Sequence, residues 1–345
     1  MTNTKSGITY LKALAIWMVV VFHCIVYWFN GGTLAGTVSF EGYQKIIYLL
    51  VSIAAVPLFF FISGYLSHKQ PLKNYFLKKL WRIVVPFLFF TTIKLVYNLL
   101  IAQSSEHGSS VGEQIFRAFV CGELYWFSLV ILIMYLIAPL LWWLQDRKKG
   151  WIYIVGILSA LIIYQVLAEV FKIHLTDILQ IHKLLANLPY FILGYLISAN
   201  KDKITIKNDW LTALIAFAIN ATLVILFYFN IISFESWSFC FLNCLSAFVW
   251  LWFVFNLIPN NIIPLNLIGK YSYQIFFLDS FVRVLLFMLV YKLNIASFWM
   301  AMLVSQIEIA ICVGICMAVE YIPVACTLFG MKWKRIQRKG KEQTE

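Results

Sequence analysis

The stretch ITYLKALAIWMVVVFHCIVYWF, residues 8–29, decides the fold. Some twenty residues, nearly all apolar, suffice to cross a hydrocarbon core about 30 Å thick as one helix. Two of its side chains readily carry a positive charge, Lys12 and His23. Eleven steps of about 100° return the chain to within roughly 20° of its starting face, so the two side chains point the same way, about 16 Å apart along the axis. Ionisable groups inside a bilayer are costly, and a matched pair on one face marks a functional site. The competing reading has Lys12 snorkelling to the headgroups while His23 hydrogen-bonds a neighbouring helix.

Beyond that stretch, a chain of 345 residues that is 62% hydrophobic and 12% charged is not an ordinary soluble protein. It is expected to be an all-α, polytopic integral membrane bundle. No small-residue cleavage pattern follows the first span, which is therefore expected to be a retained helix and not a signal peptide. A net charge of +12 would suggest nucleic acid for a soluble chain. Here the positions of the charges matter more, and no nucleic-acid partner is expected. Seven cysteines are scattered through mostly apolar stretches with no histidine or carboxylate at ligand spacing, so they read as packing residues, and no metal is expected.

Apolar runs bounded by charged or turn-rich segments give ten expected spans, at 8–29, 45–66, 81–102, 122–144, 151–171, 183–199, 210–230, 237–258, 271–291 and 297–321. With a cytoplasmic N-terminus, 20 of the 27 lysines and arginines fall in inner segments. That bias places both termini in the cytoplasm. Residues 1–331 then form the transmembrane domain. The tail KWKRIQRKGKEQTE, residues 332–345, is an orientation signal and a contact for anionic membrane lipid.

Polar residues inside or at the ends of the spans form three clusters. The inner one, KNYFLKKLWR at 73–82, carries Lys78, Lys79 and Arg82 on the side from which Lys12 emerges. It reads either as the positive-inside signal or as a seat for a ligand bearing several phosphates. The outer cluster joins His23 to Glu123, Tyr125 and Trp126 at the start of the fourth span. Glu123 reads as a helix cap and the aromatics as an interfacial belt, or together they wall a sugar cleft. The third cluster, Asp279 and Arg283, lies four residues apart on one face of the ninth span and reads as a structural ion pair. Lys94 and Glu308 are intramembrane charges whose partners the sequence does not assign. In the second span, Pro57, Ser63, Gly64 and Tyr65 suit a bend or a close helix approach.

Taken in order, these pieces resemble membrane acyltransferase family 3, bacterial integral-membrane O-acyltransferases of cell-surface glycans. The matching residues are Lys12 and His23 with ten residues between, VPLFFFISGYL at 56–66, and Lys79 and Arg82 ahead of Pro86. ELYWF at 123–127 with Tyr135 and Pro139, and GKYSYQIFF at 269–277, complete the match. The resemblance runs from Ile8 to about Phe329. Two positions depart from the pattern, Asp279 where the family often has histidine and Lys79 where the basic pair often begins with arginine.

The resemblance implies acetyl-CoA as the acyl donor, its phosphates on Lys12, Lys79 and Arg82 and its pantetheine arm reaching through a continuous cavity toward His23. It implies catalysis by His23, as general base or acyl carrier, with Lys12 and Glu123. Tyr125, Trp126, Ser63 and Tyr65 would contact the acceptor, a surface glycan or lipid-linked sugar, in a bacterial cytoplasmic membrane, with glycan-assembly proteins as further partners. The alternative is a transporter or flippase for a lipid-linked glycan, with the same charges lining its pathway.

Overall fold

The computed structural model describes residues 4–30, 42–100, 110–173, 175–200, 210–233, 236–258, 262–293 and 297–333. Lys201, Lys203, Lys207 and the tail beyond Trp333 lie outside the described residues, as do residues 31–41 and 101–109. Every regular element among the described residues is helical: α1 (Thr4–Asn30), α2 (Tyr43–Tyr65), α3 (Leu72–Lys79), a π turn (Leu80–Val84), α4 (Val85–Leu100), α5 (Val111–Phe119) and α6 (Trp126–Gln145). They continue with α7 (Gly150–Val170), a 3-10 turn (Ile178–Gln180), α8 (Ile181–Ala199), α9 (Trp210–Tyr228), α10 (Trp237–Leu257), α11 (Ile263–Lys292), α12 (Phe298–Val319) and α13 (Pro323–Leu328).

Nine helical stretches among the described residues are long and apolar enough to cross a bilayer. The sixth expected span, α8, is the one left out; it is well buried but opens on His182 and Lys183 and carries Asn187, which lowers its apolarity. Proline sits inside α2, α6 and α8, at Pro57, Pro139 and Pro189. Neighbouring helices make such positions tolerable in lipid.

Three expected boundaries move. The third span begins as α3 at Leu72, runs through the π turn and continues as α4. Pro86 donates no backbone hydrogen bond and its ring would meet the Arg82 carbonyl in a regular helix; the wider turn just before it relieves that clash. The ninth span starts at Ile263, eight residues earlier than expected, with Pro264 in its first turn, where a missing N–H does no harm. The fourth starts later, at Trp126, because Gly122 takes a positive φ of 64° and Tyr125 is non-helical at φ −145°, ψ 56°. Glu123 therefore precedes α6 and does not cap it.

α1 is the central strut, packed against α2, α10, α11 and α12, with two-thirds of its spanning window buried. Helices without side chains at the crossing can come closest, and two pairs use this. A Cβ on Gly64 of α2 would stand 1.9 Å from the Phe191 carbonyl oxygen, and one on Gly194 of α8 would stand 2.0 Å from that of Phe61. Likewise Gly269 of α11 faces the Thr9 carbonyl oxygen of α1 at 2.1 Å. Such contacts substitute for the hydrophobic effect, which does not drive helices together in lipid. Side-chain hydrogen bonds add ties, from Trp17 to Gln306 at 3.0 Å across α1 and α12, and from Asn220 to Asn243 at 2.9 Å across α9 and α10.

Gly194→Ala therefore drives a methyl into backbone that cannot yield, and should lower stability by about 1–3 kcal/mol. Gly156→Ala in α7, whose added Cβ meets nothing within 4 Å, is the matched control and should leave stability unchanged or slightly higher. Thermal midpoints of the detergent-purified variants, followed by tryptophan fluorescence, check both.

Candidate active site

α1 and α11 run side by side in the same direction, and their far halves carry the two groups that meet most tightly. His23 Nδ1 lies 2.7 Å from Asp279 Oδ2, and the Arg283 guanidinium, one turn further along α11, donates to the same oxygen at 2.7 Å. A carboxylate held by a guanidinium can only accept, so Nδ1 is the donor, which in the neutral imidazole leaves the lone pair on Nε2. The Asp279 side chain is 2% exposed, whereas the His23 side chain is 34% exposed. One group is locked inside the bundle while the other keeps an accessible edge.

The near side of the bundle, where α1 begins, holds a cavity of about 600 Å³. Lys12, Lys78, Lys79, Arg82, Lys270 and Lys332 line it, from α1, α3, the π turn, α11 and the segment after α13. Lys270 is paired with Glu320; Lys79 Nζ sits 3.1 Å from the centre of the Tyr135 ring. The π turn begins right after Lys79 and contains Arg82, and both side chains reach the same space. Ser63, Tyr273 and Gln274 add polar surface.

Between the two regions lies an aromatic layer. Phe59, Phe127 and Phe276 are the lining residues furthest from the near side, with ring centres 5.6 Å apart for Phe59 and Phe127 and 5.1 Å apart for Phe127 and Phe276. Asp279 follows Phe276 by three residues, about 4.5 Å along the helix. His23 is not among the residues lining the cavity. The cavity that Lys12 lines thus ends at these three rings, short of His23, among the described residues.

Other expected site residues are placed as follows. Lys12, Lys79, Arg82 and Ser63 converge on the cavity, while Tyr65 turns away to pack on Trp252, 5.8 Å between ring centres. Tyr125 is buried against Phe276 and Phe277, and its hydroxyl reaches the Phe277 carbonyl and Ser280 Oγ at 3.3 and 3.2 Å. With its faces covered it braces α11 and offers no open platform for a sugar. Trp126 packs near Phe60 and lies under Lys183, 4.6 Å from Nζ to the ring centre. Glu123 is half exposed and pairs with Arg117 at 3.8 Å, an outer-surface position set by the late start of α6. The ion pair of Asp279 and Arg283 is present as expected.

The partnership of Asp279 with His23 was not legible beforehand, since the expected start of the ninth span set Asp279 too shallow. Counted from Ile263 it lies sixteen residues in, about 24 Å, close to the level of His23. The two unassigned charges also find neighbours. Lys94 Nζ sits 5.0 Å from the Tyr125 ring centre, and Glu308 accepts from the Cys24 thiol at 3.1 Å.

Against known proteins, the family model described as an acyltransferase domain, Acyl_transf_3, matches residues 5–320. Neither the curated proteins nor the solved structures contain a match. The matched span takes in α1 with Lys12 and His23, the cavity-lining helices and α11 with Asp279. Family match and helical architecture together make this an enzyme of the membrane, and the chain belongs to the acyltransferase family that the matching model defines.

Proposed function

We propose that the protein transfers an acetyl group from acetyl-CoA to a hydroxyl of a cell-envelope glycan, or of its lipid-linked precursor, in a bacterial plasma membrane. The lysine and arginine bias makes the near side cytoplasmic, so the basic cavity opens toward the compartment that holds the donor. Lys12, Lys79 and Arg82, with Lys78 and Lys332 around them, supply several separate cationic groups for the nucleotide phosphates. The aromatic layer would have to part for the thioester to reach His23, by rotation of Phe59, Phe127 or Phe276.

His23 then acts as general base. Its Nε2 takes the proton of the acceptor hydroxyl as that oxygen bonds to the thioester carbonyl carbon. The carbon–sulfur bond breaks, and the imidazolium returns its proton to the leaving thiolate, so no proton is gained or lost overall. The observation that carries this reading is the 2.7 Å bond from His23 Nδ1 to Asp279 Oδ2. It holds the neutral tautomer that can accept a proton, and a carboxylate in that place stabilises the imidazolium that follows. The exposed edge of His23 fits access by an acceptor from the far side.

His23→Ala should leave the protein folded and abolish transfer from radiolabelled acetyl-CoA to purified envelope polysaccharide. Asp279→Asn should lower kcat roughly 10²–10⁴-fold, because an amide no longer dictates the tautomer. Wild-type activity in either variant would refute the assigned base. Arg82→Ala should act differently, raising KM for acetyl-CoA on the order of tenfold with kcat little changed, the signature of lost ground-state binding. Initial rates across donor concentrations separate the two effects.

A further inference from the structure

Glu308 sits within α12, 0% exposed, and no step above uses it. The thiol of Cys24, the residue after His23, donates to its Oε2. Its other oxygen, Oε1, meets no hydrogen-bond donor, and neither does Oδ1 of Asp279. Yet the carboxyl groups of Glu308 and Asp279 adjoin each other.

Two ionised carboxylates can only accept, so this contact would join two acceptors and repel. Repulsion of that kind is far stronger in a buried site than in water, and two adjoining carboxyls there commonly share one proton. The ionisable groups around the contact are His23 and Cys24 from α1, Lys94 from α4, Tyr125 ahead of α6, Asp279 and Arg283 from α11, and Cys312 from α12. The Lys94 ammonium lies over the Tyr125 ring, and Arg283 donates to Asp279 Oδ2, the oxygen that His23 also uses. Neither cation is recorded on the orphaned oxygens. A single proton between Glu308 and Asp279 satisfies both orphaned atoms at once, and leaves one net negative charge facing Arg283.

We propose that Glu308 is held as a neutral carboxylic acid, donates its proton to Asp279 Oδ1, and is thereby a positioning residue for the His23–Asp279 pair. Asp279 is then fixed from both oxygens, by His23 and Arg283 on Oδ2 and by Glu308 on Oδ1. That second anchor stops the carboxylate from rotating when His23 gains and returns its proton. The catalytic part of this inference rests on the acyl-transfer reading above, whereas the hydrogen bond itself does not.

Infrared spectra of the full-length protein in detergent, compared between H2O and D2O at neutral pH, test the bond without any assay of transfer. The carbonyl band of a protonated carboxylic acid should be present in wild type, persist in His23→Ala and be lost in Glu308→Gln. In acetyl-transfer assays Glu308→Gln, whose amide can still donate to Oδ1, should keep kcat within about threefold of wild type. Glu308→Ala should lose roughly tenfold or more in kcat with KM for acetyl-CoA unchanged, the scale of one buried hydrogen bond. An absent acid band in wild type, or one that survives unaltered in Glu308→Gln, overturns the shared proton. Equal rates for the Ala and Gln variants overturn the positioning role. If the band behaves as described while wild type transfers no acetyl group, the hydrogen bond stands and the acyl-transfer reading is what fails.

Discussion

The hydrogen bond between His23 and Asp279 is the interaction on which the candidate site depends. A lone carboxylate within a membrane span would be paired or neutralised at considerable cost. Here one buried oxygen receives both the imidazole of α1 and the guanidinium of α11 itself. The same contact therefore orients the imidazole and makes a buried carboxylate tolerable. It also ties two helices that already approach closely at the other end, where Gly269 lies against Thr9.

Around that tie the enzyme has two levels. On the near side, cations from several helices surround a polar cavity, and the π turn before Pro86 lets Lys79 and Arg82 share it. On the far side, the imidazole keeps an accessible edge beside a locked carboxylate. Phe59, Phe127 and Phe276 separate the levels, and Tyr125 braces the helix that links them.

The near-side cations illustrate how one set of residues answers two physical demands. Lysine and arginine gathered at one end of the spans orient the chain in the bilayer. Side chains on separate helices that also converge on a cavity can grip phosphate. Orientation alone explains why the charges lie on one side; it does not explain why Lys12, Lys79 and Arg82 meet around one space.

The sequence by itself determined the membrane-spanning helical class, because apolar runs of about twenty residues have few other ways to satisfy their backbone. It also singled out Lys12 and His23, since helical periodicity alone puts them on one face. Helix starts were less legible: Pro86 and Gly122 act through turn geometry, and the eight-residue shift at Ile263 hid the match in depth between Asp279 and His23. Only the tertiary structure decided which helix faces which. It alone paired His23 with Asp279, gave Glu308 its neighbours, buried the Tyr125 ring, left Glu123 on the surface and gathered Phe59, Phe127 and Phe276 at one end of the cavity. Contacts between helices hundreds of residues apart are set by shape and close packing, and no local period in the sequence records them.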